Sequence, residues 1–405
     1  MRPDTAATEG PMKSRIPRKP RTPATPPPLG DKSQTKSSQG PQPTLRYGDQ
    51  FGKYVINGFA GKGATSFVYE ARPVDGFEKV AVKVLHPHLL ADPAKRRKFY
   101  QEARIMMRMR HANVVNFREI MEIDGHLAYV MEYIDGPTLE DWMRTRAKSA
   151  SQMELACLFS DILRGLSHAH SHGVVHRDIK PANILIATQQ GRLVAKVIDF
   201  GLARFSDQPI SAQERSKIAG TAAYISPEEV SDPDSVGQTS DIYSLGVMLY
   251  EAACGQRPFA EEDPRALLEA HANRMPPSPR EVNPALSPEF ENVILRTLSK
   301  RPDSRFNSAP EMIQALQDAI QAAMRAEMMQ LAEENAATTE WTRDTPAKTG
   351  PNQQTAMLLY LMMCMRAMFA VLGTSNTSSD TTDSTLKAHH LDRTPDPSFH
   401  LPLNL

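Results

Sequence analysis

Residues 175–185 read VHRDIKPANIL, and the triplet DFG follows at 199–201, sixteen residues after Asn183. Phosphoryl transfer asks a protein mainly for positioning and charge neutralisation, with little covalent work. It needs a carboxylate that accepts the hydroxyl proton, a cation for the γ-phosphate and hard oxygen ligands for Mg²⁺. These residue types are present here as Asp178, Lys180, Asn183 and Asp199. The segment therefore predicts a phosphoryl-transfer site.

A glycine-containing turn lies upstream, between the strand-like runs YVINGFA and SFVYEA. Gly61 and Gly63 would let the backbone approach phosphate oxygens closely, with N–H groups directed at them. The turn differs from a Walker A loop, because Ala64-Thr65 follow Gly63 where Lys-Ser or Lys-Thr is required. It differs from a dinucleotide-binding fingerprint, because a strand-like run follows and not a helix. A simple glycine hairpin remains an alternative.

Lys83 ends the apolar run VAVK, shortly after the glycine turn. A lysine that binds phosphates needs a carboxylate to hold it in place. The next predicted helix begins at Asp92-Pro93, which supply an N-cap and an N1 proline, and it carries Glu102. Glu102 is therefore the predicted partner of Lys83.

Composition sets outer limits on function. The 405 residues contain 47 Lys+Arg and 47 Asp+Glu, so the formal net charge is zero. This balance argues against a globally basic nucleic-acid binder, and no nucleic-acid partner is expected. The three cysteines form no CxxC pair and no zinc-binding spacing with histidine, which favours a reducing compartment over a disulfide scaffold.

Two parts of the chain differ in their sequence pattern. Residues 54–133 contain short β-branched and aromatic runs, separated by turn residues such as Asp124-Gly125, with one helix among them. The pattern of residues 136–322 is mainly helical. The sequence thus predicts an α+β protein with a small antiparallel-sheet lobe and a larger helical lobe. The cleft beside the connector at 132–135 is the expected ligand site.

The regions outside these lobes are mostly polar. Residues 1–46 are basic and rich in proline and serine, and residues 374–405 form a second polar tail. Both are predicted to be disordered, because they carry too little apolar surface to offset the entropy of ordering. Residues 323–355 are predicted to be a helix extension followed by a polar linker.

Residues 356–373, AMLLYLMMCMRAMFAVLG, are a strongly apolar segment outside the lobes. As a helix, residues 356–372 would span about 26 Å, against ~30 Å for the hydrocarbon core of a bilayer. Arg366 would cost roughly 2.5–3.5 kcal/mol near the bilayer centre, although its side chain could reach the interface. Two interpretations stay open: a membrane-spanning helix, or an amphipathic or partner-binding helix.

Taken in order, the motifs of residues 54–322 resemble those of the eukaryotic-type (Hanks-type) serine/threonine protein kinases, and particularly their bacterial branch. The resemblance covers about two-thirds of the chain. It implies a bilobal protein-kinase fold that transfers the γ-phosphate of ATP to serine and threonine hydroxyls of proteins in bacterial-type signalling. It also implies Mg²⁺ or Mn²⁺ as the cofactor.

The resemblance assigns roles residue by residue. Asp178 matches the catalytic base, Lys180 the lysine on the γ-phosphate, and Asn183 and Asp199 the metal ligands. Lys83 matches the lysine on the α- and β-phosphates. The implied ATP site comprises Ala60, Gly61, Lys62, Gly63, Ala64, Thr65, Ser66, Phe67, Val68, Lys83, Glu102, the gatekeeper Met131 and the hinge residues Glu132 and Ile134.

Supporting motifs match as well. Residues 226–228 match the end of the activation segment, and Glu228 is expected to pair with Arg305. Asp241 and Gly246 match the helix that supports the catalytic loop.

Two positions depart from the family pattern. The third glycine of the loop is Ser66, and the alanine of the Ala-Pro-Glu motif is Ser226. Both replacements are small and neither removes a catalytic group, although Ser66 would stiffen the loop slightly.

Regulation is predicted from the residue before the catalytic aspartate. The charge of Arg177 is poorly balanced until an anion arrives, and a phosphorylated activation segment would supply one. Residues 202–220 contain serines but no threonine, so autophosphorylation is predicted on Ser211 or Ser216. The alternative is that these serines are ordinary loop residues. Thr221, at the end of the segment, is expected beside the catalytic residues.

Two other classes of function fit these motifs less well than a kinase. A pseudokinase or scaffold would normally lack Lys83, Asp178 or Asp199, and all three are present. A small-molecule phosphotransferase is disfavoured by the complete activation segment. The expected partners are ATP and protein substrates, with a homodimer for autophosphorylation left open. The expected location is the cytoplasm, with anchoring to the inner membrane by 356–373 left open.

Overall fold

The computed structural model describes residues 42–146, 150–201, 203–205 and 223–341, with side chains to residue 333 except those of 204 and 205. Ser211, Ser216, Thr221 and the apolar segment 356–373 lie outside the described residues. Among the helices in the described ranges, none combines the length and apolar character needed to cross a bilayer.

A six-stranded antiparallel sheet forms the N-terminal lobe. Its strands are β1 (Gln50–Phe51), β2 (Tyr54–Lys62), β3 (Ser66–Pro73), β4 (Val80–Leu85), β5 (Phe117–Ile123) and β6 (His126–Glu132). Their order in the sheet is β1-β2-β3-β4-β6-β5. All six residues of β4 are buried, because the strand lies inside the sheet with apolar packing on both faces. This places Lys83, the charged residue of VAVKVL, in the interior.

Local signals in the sequence account for the turns and the helix of this lobe. Asp124 and Gly125 both have positive φ angles, of 49° and 71°, which is the two-residue hairpin geometry that suits strand twist. Helix α1 (Pro93–Arg108) begins after Asp92, whose carboxylate accepts hydrogen bonds from the N–H groups of Ala94 and Lys95. Ordered contacts begin before residue 54, because the Thr44 N–H donates to the Tyr69 hydroxyl at 3.0 Å.

The C-terminal lobe is mainly helical, as predicted. Its helices are α2 (Leu139–Arg146), α3 (Gln152–Ser171), α4 (Pro227–Ser231), α5 (Gln238–Cys254), α6 (Pro264–Asn273), α7 (Pro279–Val282), α8 (Pro288–Thr297) and α9 (Ala309–Trp341). Its short strands are β7 (Val174–Val175), β8 (Ile184–Gln189), β9 (Arg192–Val197) and β10 (Arg204–Phe205). β8 pairs with β9 and β7 with β10, both antiparallel.

Helix α5 is the centre of this lobe, with a continuous run of buried residues from Ser240 to Tyr250. A helix buried on all sides needs close neighbours. A Cβ atom at Gly246 would lie 2.2 Å from Thr297 Oγ1 of α8, so only glycine lets these two helices approach as closely as they do. The predicted supporting role of Gly246 is therefore a packing role.

The chain passes between the lobes directly after β6. A Cβ atom at Gly136 would lie 2.0 Å from the Ile186 carbonyl oxygen, so glycine allows the connector to run against β8. The Ile186 N–H donates to the Pro137 carbonyl at 2.9 Å and fixes this contact. The connector thus holds the two lobes around a common cleft.

Candidate active site

The loop 176–183 connects β7 to β8 and carries the predicted catalytic residues. Arg177 has a φ of +64°, which a residue with a side chain rarely adopts. The Asp241 carboxylate of α5 accepts hydrogen bonds from the N–H groups of His176 (2.9 Å) and Arg177 (2.8 Å) and from His170 Nε2 (2.7 Å). These bonds hold the strained backbone in place. Burial alone would raise the pKa of Asp241, but its hydrogen bond and attraction to His170 bring the pKa below its usual value.

Asp178, Lys180 and Asn183 form one hydrogen-bonded group. Lys180 Nζ lies 3.0 and 2.8 Å from the two carboxylate oxygens of Asp178. Asn183 Nδ2 donates to the carbonyl oxygen of Asp178 at 2.9 Å and to its Oδ2 at 3.0 Å. These contacts orient the carboxylate, and they engage the amide nitrogen of Asn183 so that its Oδ1 remains as an oxygen donor.

Lys83 and Glu102 form a buried ion pair between β4 and α1. Lys83 Nζ lies 2.7 Å from Glu102 Oε1 and 3.4 Å from Asp199 Oδ1. The Tyr129 hydroxyl of β6 donates to Glu102 Oε1 at 2.6 Å and so helps to hold Glu102 beside Lys83. Burial would lower the pKa of Lys83, but the charges of Asp199 and Glu102 raise it well above the usual value. The lysine is therefore a permanent cation in the cleft.

Asp199 meets the requirements of a metal ligand. Its Oδ1 accepts the Gly201 N–H at 2.9 Å. Burial would raise the pKa of Asp199, but the Lys83 charge and this hydrogen bond bring it far below the usual value, so the carboxylate stays ionised. Together with Asn183 Oδ1 it offers the hard oxygen donors that Mg²⁺ prefers. The residues present thus fit a divalent cation that takes its other ligands from phosphates and water.

A cleft of about 650 Å³ between the lobes brings the predicted residues together. Predicted residues that line it are Ala60, Gly61, Lys62, Gly63, Ala64, Thr65, Ser66, Val68, Lys83, Glu102, Met131, Glu132, Ile134, Asp178, Lys180, Asn183 and Asp199. Sequence reasoning missed several apolar lining residues, among them Ala81 of the sheet lobe and Leu185 of the helical lobe. Strand alternation and burial are the signals that could have found them.

Phe67 is the predicted ATP-site residue that the structure places elsewhere. It does not line the cleft. Successive side chains of a strand point to opposite faces, so Val68 faces the cleft and Phe67 faces the other side of β3. There the buried Phe67 ring packs against His86, with ring centroids 4.2 Å apart.

Tyr129 was also missed by sequence reasoning. It lies in the run HLAYVME, and its buried hydroxyl needs a hydrogen-bond partner that the sequence does not name. The partner is Glu102, which is 27 residues away in the chain.

Ser226, the departure from the Ala-Pro-Glu pattern, begins helix α4 with a capping box. Its N–H and Oγ both lie 2.9 Å from Glu229 Oε2, and the Glu229 N–H lies 3.4 Å from its Oγ. Alanine could not make the side-chain half of this arrangement. Ser226 therefore fixes the start of α4 through an extra pair of hydrogen bonds.

Glu229 makes the stability of the fold depend on pH. Burial raises the pKa of Glu229 to about 7, and the charges of Asp241 and Glu228 act in the same direction against the Ser226 hydrogen bonds. The folded state therefore holds a proton that the unfolded state releases above its ordinary pKa of 4.5. The resulting stability is fully present below that value and is lost as the pH rises through about 7.

We expect Glu229→Gln to raise the free energy of unfolding at pH 8 by roughly 1–3 kcal/mol and to change it little at pH 4. Glutamine keeps the capping box but carries no charge. Denaturant unfolding at both pH values measures the difference. Glu262→Gln, at an exposed position, is the matched control. An equal effect of Glu229→Gln at both pH values would contradict the prediction.

Arg177 is half-buried, and among the described residues its Nε has no hydrogen-bond partner. Burial lowers the pKa of Arg177, while Glu229 and Asp241 act in the opposite direction. No carboxylate of the described residues forms an ion pair with it within 4.0 Å. Arg177 thus retains capacity for an anion.

The central part of the chain is similar to known proteins. Residues 54–318 match the family model described as the protein kinase domain. The chain is 36% identical over 265 residues to the serine/threonine-protein kinase PknB of Mycolicibacterium smegmatis, which covers 64% of this chain and 42% of that protein. It is 36% identical over 261 residues to the serine/threonine-protein kinase Pkn1 of Myxococcus xanthus, which covers 64% of this chain and 37% of that protein.

A solved structure has a similar fold. The PknI kinase domain of Mycobacterium tuberculosis is 26% identical, with a TM-score of 0.53, and the match covers 68% of this chain and 100% of that one. The chain spans about two-fifths of the length of the curated relatives it matches.

Proposed function

The chain belongs to the protein kinase family, and from this membership we propose that it transfers the γ-phosphate of ATP to serine and threonine hydroxyls of proteins. One observation carries the proposal. A permanent cation from the sheet lobe, Lys83, and the oriented carboxylate of Asp178 from the helical lobe line the same cleft. This is the arrangement that phosphoryl transfer needs, because it positions a nucleotide phosphate against a hydroxyl acceptor.

The reaction follows from the roles of these groups. Lys83 binds the α- and β-phosphates, and the connector after β6 binds the adenine through its backbone. The substrate hydroxyl oxygen attacks the γ-phosphorus, its proton passes to the Asp178 carboxylate, and the bond to the β–γ bridging oxygen breaks to release ADP. Lys180 neutralises charge on the transferred group. Mg²⁺ or Mn²⁺, held by Asn183 and Asp199, would supply further neutralisation of the phosphate charge.

The full chain with ATP labelled in the γ-phosphate tests this function. We expect label on serine and threonine of an added protein substrate and none on tyrosine. Label that appeared only on a small molecule, or only in free phosphate, would contradict the proposal.

We further propose that the chain phosphorylates its own activation segment. This is supported by the Nε of Arg177, which has no hydrogen-bond partner among the described residues, because a phosphoserine would supply a charged hydrogen-bond acceptor. Phosphopeptide mapping of active enzyme is expected to find phosphate on Ser211 or Ser216. Full activity with an unmodified segment would contradict the prediction.

We also propose that the kinase domain lies in the cytoplasm, where ATP is available. Anchoring by residues 356–373 is tested by whether the full chain sediments with lipid vesicles while a variant without this segment does not.

A further inference from the structure

His86 follows β4 and contacts the glycine turn, residues 61–66, which connects β2 to β3. It is 1% exposed. Its backbone N–H donates to the Thr65 carbonyl at 2.9 Å. Its imidazole Nε2 lies 3.1 Å from the Gly63 carbonyl. One residue therefore ties two carbonyl groups of the turn to the sheet.

The chemistry of this contact specifies the protonation of the ring. A carbonyl oxygen only accepts, so Nε2 carries the hydrogen. Nδ1 is buried and has no hydrogen-bond partner among the described residues. Burial lowers the pKa of His86, and the nearby His88 and Lys62 lower it further, against the hydrogen bond to Gly63. The ring is thus a neutral, single-tautomer donor.

The ring is also held sterically. The edge of the Phe67 ring contacts it at a centroid distance of 4.2 Å. The exposed ring of His88 stacks on it at 5.6 Å. The donor therefore has one orientation, and it is fixed by β3 on the face opposite the cleft.

The two tied carbonyls determine where the N–H groups of the turn point. In a trans peptide, the C=O of one residue and the N–H of the next point in opposite directions. Holding the carbonyls of Gly63 and Thr65 toward His86 directs the N–H groups of Ala64 and Ser66 away from it. In the part of the chain that the structure describes, residues 63–66 line the cleft and His86 does not. His86 therefore acts on the turn from outside the cleft.

We propose that His86 is a positioning residue that preorganises the glycine turn for the phosphates of a nucleoside triphosphate. The proposal rests on the proposed function. A glycine-containing turn is conformationally free, and ordering it on binding costs affinity. The Gly63 N–H to Ser66 carbonyl bond, at 2.8 Å, closes the turn, and His86 sets its orientation. Because His86 acts on the backbone that meets phosphate, it affects phosphate-bearing ligands and leaves the adenine site unchanged.

The test compares ligands with and without phosphate on the full chain. In His86→Phe the ring volume is kept and the donor is lost. Calorimetry with adenosine, ADP and a non-hydrolysable ATP analogue, each with and without Mg²⁺, measures affinity directly. We expect ADP and the analogue to bind about 5- to 10-fold more weakly, and adenosine to bind as in the unchanged protein. His86→Gln, which restores an N–H donor, is expected to recover part of the loss. His126→Phe is the matched control, because it removes an imidazole contact to the Asp124 carbonyl of a hairpin that does not line the cleft.

Two outcomes would overturn the proposal. One is equal affinity of His86→Phe and the unchanged protein for the ATP analogue. The other is a parallel loss of adenosine and ATP-analogue binding, which would mean that His86 only supports the sheet. Failure of the proposed function is distinguishable, because an unchanged protein that binds the analogue but transfers no phosphate refutes the kinase activity and leaves the role of His86 intact.

Discussion

Asp178→Asn is expected to lower the rate of phosphate transfer by about 10²- to 10⁴-fold, the usual contribution of a positioned general base. Asparagine has nearly the same shape but cannot take the proton of the substrate hydroxyl. The side chain lies at the centre of the contacts from Lys180 and Asn183, so the surrounding loop should keep its conformation. ATP affinity is therefore expected to stay nearly unchanged, since Asp178 does not bind adenine or the α- and β-phosphates.

Single-turnover transfer and calorimetric ATP binding, measured on the same preparation, separate the two effects. Asp232→Asn is a suitable control, because it makes the same chemical change at an exposed position of the helical lobe. Transfer at an undiminished rate in Asp178→Asn would refute its role as the base. Loss of ATP binding together with transfer would indicate that the loop had rearranged.

Glu228→Ala is expected to destabilise the fold by about 3–5 kcal/mol, the cost of leaving one member of a buried ion pair without its partner. The Arg305 side chain is fully buried, and its two terminal nitrogens lie 2.7 and 2.8 Å from the two oxygens of Glu228. Arg305 also donates to the carbonyls of Thr239, Ser299 and Lys300. The pair thus joins the start of α4, the start of α5 and the loop after α8.

The pH dependence of this effect has a definite sign. Burial would raise the pKa of Glu228, but its bidentate contact with Arg305 brings the pKa below the usual value of 4.5. A lowered carboxylate pKa contributes stability that is present above 4.5 and is lost as the pH falls through the folded-state pKa. The difference between the unchanged protein and Glu228→Ala should therefore shrink in acid.

Denaturant unfolding at neutral and acid pH measures the loss. Asp303→Asn breaks the exposed pair with Arg301 and serves as the control, with little expected change because water screens it. The double variant Glu228→Leu/Arg305→Met should be less destabilised than Glu228→Ala, since apolar side chains can replace a buried pair. A loss of stability in Glu228→Ala that is no larger than the loss in Asp303→Asn would contradict the prediction.

Much of the candidate site could be predicted from the sequence, because its functional groups lie in short contiguous motifs. Asp178, Lys180 and Asn183 lie in one short loop, so residues that are close in the sequence are also close in space. The N-cap at Asp92 and the hairpin at Asp124-Gly125 were predictable for the same reason, since their energetics are local.

Contacts between segments that are distant in the chain could not be predicted as well from the sequence. In the sequence Tyr129 is an ordinary member of an apolar strand and His86 only follows one, and their roles depend on what the fold places beside them. Phe67 shows the converse, because motif matching assigned it to the nucleotide site although strand alternation turns it to the opposite face. The sequence shows Ser226 as a small replacement for alanine, and only the fold shows that it forms a capping box that alanine cannot form.

The sequence by itself determined which chemistry the protein carries: the carboxylates, lysines and oxygen donors of phosphoryl transfer, in the order of a protein kinase. Only the tertiary structure decided how these groups are held. It pairs Lys83 with Glu102 under the Tyr129 hydroxyl, keeps Arg177 in a left-handed conformation through Asp241, and ties the glycine turn to His86. The physical reason is that residue type fixes a group's charge and hydrogen-bonding capacity, whereas its orientation, burial and pKa depend on neighbours that are remote in the chain.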